Sequence, residues 1–99
     1  MIVVIRFRVA EPAAADFRER AAAALAALAA RPGYTGGRLG RNADDPGLWA
    51  LVTEWEGPGF YRRALSDYTV KVSAVPLLSE ALDEPSAYEV LDVVPAPAR

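Results

Sequence analysis

Proton transfer in this chain has to proceed without histidine, and nucleophilic attack without cysteine, because the 99-residue sequence contains neither. Imidazole-dependent triads, thiolate chemistry, iron–sulfur ligation, histidine-ligated haem and cysteine or histidine zinc sites are thereby excluded. Asp, Glu, Tyr, Lys, Arg and water are left for acid–base work. Against that short list stand several aromatic residues. Trp49, Leu51, Thr53 and Trp55 share one face of LWALVTEWE at period two, Tyr61 sits on the apolar side of the helical pattern that follows, and Arg6 lies on the more polar face of the amino-terminal stretch. Such side chains offer stacking, phenolic hydrogen bonding and stabilisation of negative charge. Each has core packing as its alternative role.

The elements that must position these residues follow from pattern. Ile2–Val9 reads as the first strand, with Val3, Ile5, Phe7 and Val9 on one face. Pro12 opens a helix whose apolar face is Phe17, Ala21, Ala24, Leu25 and Leu28, with Asp16 and Arg20 spaced to pair on the surface. Arg31-Pro32-Gly33 ends it, and Tyr34–Asn42 is a glycine-rich, weaker strand carrying Arg38. That stretch lacks the Lys-Ser/Thr ending of a phosphate loop, and Asp44-Asp45-Pro46-Gly47 reads as a turn rather than a cation site. Leu48–Glu56 is the next strand, apolar on both faces for most of its length. Phe60–Asp67 begins a second helix on Tyr61, Ala64, Leu65 and Tyr68, the pattern weakens over 66–69, and Val70–Ala81 resumes a stripe of Val72, Val75, Leu78 and Leu82, with Pro76 placed to open a further helix. Ala87–Val94 is the last strand.

Strand, helix, strand, strand, helical region, strand is the split βαβ or ferredoxin-like order, an α+β four-stranded antiparallel sheet with its helices on one face. The first and third strands are expected at its centre, running parallel. Residues 1–94 are read as one domain and 95–99 as a loosely held, proline-interrupted tail. A formal charge of −2 with no basic stripe argues against nucleic acid, and no apolar run suits a membrane. MIVVIRFRV lacks the features of a secretory leader, so a cytoplasmic protein is expected. With both helical segments on one face, Leu48, Ala50 and Val52 on the other predict a homodimer through the sheet face.

The ordered set PGYTGGRLGRN, LWALVTEWE, FYRRALSDYTVKVSAVPLL and PSAYEVL resembles the antibiotic biosynthesis monooxygenase family. Its members are dimeric α+β barrels in which two ferredoxin-like sheets pack face to face. The resemblance implies a cofactor-independent monooxygenase, with no metal and with molecular oxygen as co-substrate, acting on a small polycyclic phenolic or quinol-type aromatic in polyketide or antibiotic biosynthesis. The polyketide-oxidising members carry a tryptophan on the third strand and a tyrosine six positions later, which Trp55 and Tyr61 match as the implied catalytic pair. Where those members have an asparagine four positions before the tryptophan, this chain has Leu51. Trp49, Leu51, Phe7, Leu65, Arg6 and Arg38 complete the expected substrate-binding set. The haem-degrading branch needs a histidine that is absent here. The alternative is a non-catalytic dimeric module of the same fold that binds a small molecule.

Overall fold

A β-branched run, Ile2–Ile5, followed by Arg6, Phe7 and Arg8 makes Ile2–Arg8 the first strand, β1, of the computed structural model, which describes residues 1–98. Val3, Ile5 and Phe7 turn inward while Arg6 and Arg8 face solvent. A 3-10 turn at Glu11–Ala13, carrying Pro12, leads into α1, Ala14–Ala29. Phe17, Ala21, Ala24 and Leu28 of α1 are buried against the sheet, and the small alanine side chains at contact positions let helix and sheet approach closely. The expected Asp16–Arg20 pair does not form. Arg20 instead makes an ion pair with Glu80, a carboxylate brought in from the far helical region, which spacing along one helix could not foretell.

Gly33 takes φ +86, a conformation that favours glycine, and reverses the chain after α1. The second strand β2, Tyr34–Arg41, follows. Asn42 then organises the next reversal: its Oδ1 accepts from the N–H groups of Asp44 (2.8 Å) and Asp45 (2.9 Å). Asp45 accepts from Gly47 N–H and pairs with Arg8 at 2.7 Å, so this carboxylate serves the turn and β1 together. The third strand β3, Leu48–Trp55, completes the hairpin.

The sheet has order β2-β3-β1-β4 and is antiparallel at every pairing. β1 and β3 are central, as expected, but the expectation that they run parallel is corrected: Ile2 pairs with Glu54 and Arg8 with Leu48. Two reversals explain this. The α1 crossover returns β2 in the direction of β1, and the tight Asn42–Gly47 turn then inverts β3, which inserts between them.

After β3, Pro58 at the first helical turn opens α2, Pro58–Ser66. Asp67 is extended, and its carboxylate accepts from the N–H groups of Thr69 (3.1 Å) and Val70 (3.3 Å), capping α3, Tyr68–Ser73. α4, Val75–Leu78, follows with Pro76 in its first turn. The new cap resets the helical phase. Val70, Ala74 and Leu77 are therefore the buried stripe, whereas Tyr68 is 79% exposed and Val72 59%, correcting the stripe read from spacing. The last strand is also corrected: β4 is only Ala87–Tyr88, paired with Val3 and Ile2, the first two residues of β1.

One face of the sheet lies under the helices and forms the core. The other carries Ile2, Val4, Leu48, Ala50 and Val52, half-buried, among the exposed Arg6, Arg8, Arg38 and Glu54. Among the described residues no helix is long and apolar enough to cross a membrane.

Candidate active site

A cavity of about 670 Å³ opens where the edge of β1 leaves the cover of β4, within the usual range for small-molecule sites. Val4, Ile5 and Arg6 form its sheet wall, Tyr61 and Leu65 of α2 its helical wall, and the segment Ala81–Glu84 its rim. The backbone keeps this space open. Leu82 N–H donates to Arg6 O (2.8 Å) and Val4 N–H to Ser86 O (2.7 Å), pinning the segment to β1 at both ends. Residues 83–85 lie between these two ties, and Glu84 returns to the sheet through its side chain. Arg6 Nε donates to Glu84 Oε2 (2.9 Å) and Nη2 to Oε1 (2.8 Å), a bidentate pair.

Tyr61 supplies the cavity's phenol. Its ring centroid stands 5.4 Å from that of Trp55, tilted by 53°, and Trp55 in turn meets Tyr34 edge-on at 5.5 Å. Trp55 is 2% exposed, and its indole Nε1 donates to Thr53 Oγ1 at 2.9 Å. That bond fixes the indole as a backing plate, so Trp55 holds Tyr61 rather than lining the cavity itself. Burial pushes the Tyr61 phenol above its ordinary value. Tyr61 is therefore a neutral hydrogen-bond donor at physiological pH. Glu84 is held below the usual carboxylate range by its hydrogen bond and charge contact with Arg6, and so is ionised.

The expected site residues are thus brought together in part. Tyr61, Leu65 and Arg6 line one cavity, with Trp55 directly behind it. Phe7 and Leu51 are fully buried core residues, Leu51 between its strand partners Ile5 and Leu39. Trp49 lies at the other end of β3, packed on Phe17 with ring centroids 5.4 Å apart and under the Arg41 guanidinium. Arg38 is on the bare face, sharing a shallow hollow with Glu54. The rim carboxylates Asp83 and Glu84 were not among the expected site residues. Their sequence, Asp-Glu-Pro-Ser, carries only a helix-stop signal, and nothing local tells that Glu84 reaches Arg6 far back in the chain. Among the described residues no three His, Cys, Asp or Glu side chains converge as metal ligands.

Comparison with known proteins agrees with this architecture. SnoaB, a cofactor-independent oxygenase from Streptomyces nogalater, is 25% identical over 96% of this chain and 96% of that one, with a TM-score of 0.80. A candidate antibiotic biosynthesis monooxygenase from Deinococcus radiodurans matches at 16% identity over 99% of this chain and 100% of that one, TM-score 0.77. A conserved protein from Methanosarcina mazei Go1 matches at 20% identity over 87% and 84%, TM-score 0.71. These last two likenesses concern the fold. No functionally curated protein matches the sequence. The family described as antibiotic biosynthesis monooxygenase matches residues 1–59. With its four-stranded antiparallel sheet, its helices on one face and that match over more than half its length, this chain belongs to the antibiotic biosynthesis monooxygenase family.

Proposed function

We propose that the protein is a cofactor-independent monooxygenase that oxidises a polycyclic phenolic or quinol-type molecule in the Tyr61 cavity. The observation that carries this reading is a cavity of about 670 Å³ combining an apolar wall with a partly buried, neutral phenol and one tethered guanidinium. An anthrone shows why so few groups suffice. Loss of one C–H proton leaves an electron-rich anion that itself reduces dioxygen; one oxygen atom ends as the new carbonyl and the other departs as water with both methylene hydrogens. The protein has only to bind the ring system, favour its anion and shield the intermediate.

Tyr61 donates a hydrogen bond to the developing oxyanion or peroxide, Leu65 and Ile5 hold the rings, and Arg6 supplies positive charge at the mouth. Its Nε and Nη2 are taken by Glu84, and among the described residues no protein acceptor bonds Nη1. Trp55 sets the orientation of Tyr61. The bare sheet face further supports a homodimer: it carries a half-buried aliphatic row, with open space where Gly36 and Gly40 would carry a Cβ.

The test is oxygen uptake by chelator-treated protein against anthrones, naphthols and quinols, with isotopically labelled dioxygen to count the atoms transferred. One labelled atom per product molecule, without added metal or flavin, supports the reading. Tight aromatic binding with no uptake would overturn it in favour of a non-catalytic binding module.

A further inference from the structure

One hollow beside α1 is lined by two arginines and, among the described residues, by no acid. Arg41, at the end of β2, lies over the Trp49 ring with its guanidinium carbon 5.4 Å from the ring centroid. Stacking of this kind orders the long side chain while leaving its in-plane N–H groups free to bond. Arg18 of α1 lines the same hollow with Leu39 and Gly40. Its volume, about 220 Å³, is below the range usual for drug-sized ligands and suits a single charged group.

The charge here is uncompensated in a chain whose formal charge is −2. Arg6, Arg8, Arg20 and Arg31 each pair with a carboxylate; among the described residues Arg18 and Arg41 do not. The positions three and four residues from Arg18 along α1 are all alanine, so its own helix offers it no acid. Near Arg41, the turn carboxylate of Asp45 is committed to Arg8 and to Gly47 N–H. Trp49 also lines the hollow. It is 6% exposed, and its indole N–H has no acceptor among the described residues, whereas that of Trp55 is bonded to Thr53. Donors are in excess at this end of β3, and a negatively charged acceptor is the chemistry they lack.

An adjoining hollow shares Gly40, Arg41 and Trp49, adds Arg6 and Asn42, and again has no acid among its described lining residues. It provides space for the rest of a small molecule. We propose that Arg18 and Arg41 bind the oxyanion of a small organic phosphate or carboxylate, with the Trp49 ring as the platform that orders Arg41. This site lies at the opposite end of β3 from the Tyr61 cavity, and it stands whether or not the protein is an oxygenase.

The two indole N–H resonances of the full chain provide the test, with Trp49→Phe assigning them. Inorganic phosphate, phenyl phosphate and benzoate are titrated at constant ionic strength. The Trp49 resonance should shift saturably while that of Trp55 stays in place. Preference for phenyl phosphate over benzoate supports a phosphate site, and the opposite preference a carboxylate site. Arg18→Gln and Arg41→Gln should each weaken the preferred ligand at least about tenfold, since each removes a charge-assisted contact. Arg38→Gln, which removes an arginine outside both hollows, should bind as the native chain does. Backbone amide spectra confirm that each variant is folded. An unmoved Trp49 resonance, equal movement of both indoles, a shift that does not saturate, or an equal loss in Arg38→Gln would overturn the proposal.

Discussion

Two tryptophans on the same face of β3, six residues and about 20 Å apart, have very different surroundings. Trp49 is closed in by Phe17, which itself packs on Phe7 at 5.0 Å, and its buried indole N–H has no partner among the described residues. Trp55 has its N–H satisfied by Thr53 and meets two tyrosines, one of which opens onto the cavity. The difference arises from the elements above the strand. At Trp49 the long helix α1 seals the sheet; at Trp55 the short, broken run of α2, α3 and α4 leaves a gap that Tyr61 borders. Aromatic content alone does not open a cavity; interrupted cover over it does.

That contrast can be broken in graded steps. The largest expected effect is Trp55→Ala, which empties the space behind both tyrosines and should cost about 3–5 kcal/mol in chemical denaturation. Leu65→Trp should fill the cavity while leaving the Trp49 end untouched, weakening a naphthol probe at least about tenfold, equivalent to about 1.4 kcal/mol, by fluorescence titration. Trp49→Phe loses contact area but also removes an unsatisfied buried donor, so its net effect on stability should stay within about 1 kcal/mol. The smallest concerns the rim. Because Arg6 lowers the Glu84 pKa, the stabilisation from their pair is fully present above the ordinary glutamate value and is lost as pH falls through the lowered one. Acidification across that window should speed exchange of the Leu82 amide before the β1–β3 amides, and the reverse order would contradict the role given to the pair.

Much of this molecule was legible in its sequence, for physical reasons that also mark where reading failed. Period-two patterns are local, so β1 and β3, their buried faces and the helix-covered side follow from residue order. The interruption near Asp67 was visible as a weakening, but the phase after it depended on a cap that only the three-dimensional turn fixes, so Val72 and Val75 stood in for Val70 and Ala74. Ala87–Val94 is rich in strand-forming residues, and β4 ends where its pairing with the start of β1 ends, a property of pairing that local pattern does not carry. The site divides along the same line. Tyr61 and Leu65 could be placed on one helical face, whereas the Arg6–Glu84 pair joins residues far apart in sequence and left no local trace.

The most direct test compares single-turnover oxidation of an anthrone by Tyr61→Phe and Trp49→Phe in parallel. Loss of the Tyr61 hydroxyl should lower the rate about 100-fold, as removal of one preorganised donor does, with binding little changed and Trp49→Phe close to native. Equal rates in the two variants, or a greater loss in Trp49→Phe, would contradict a reaction centred on the Tyr61 cavity.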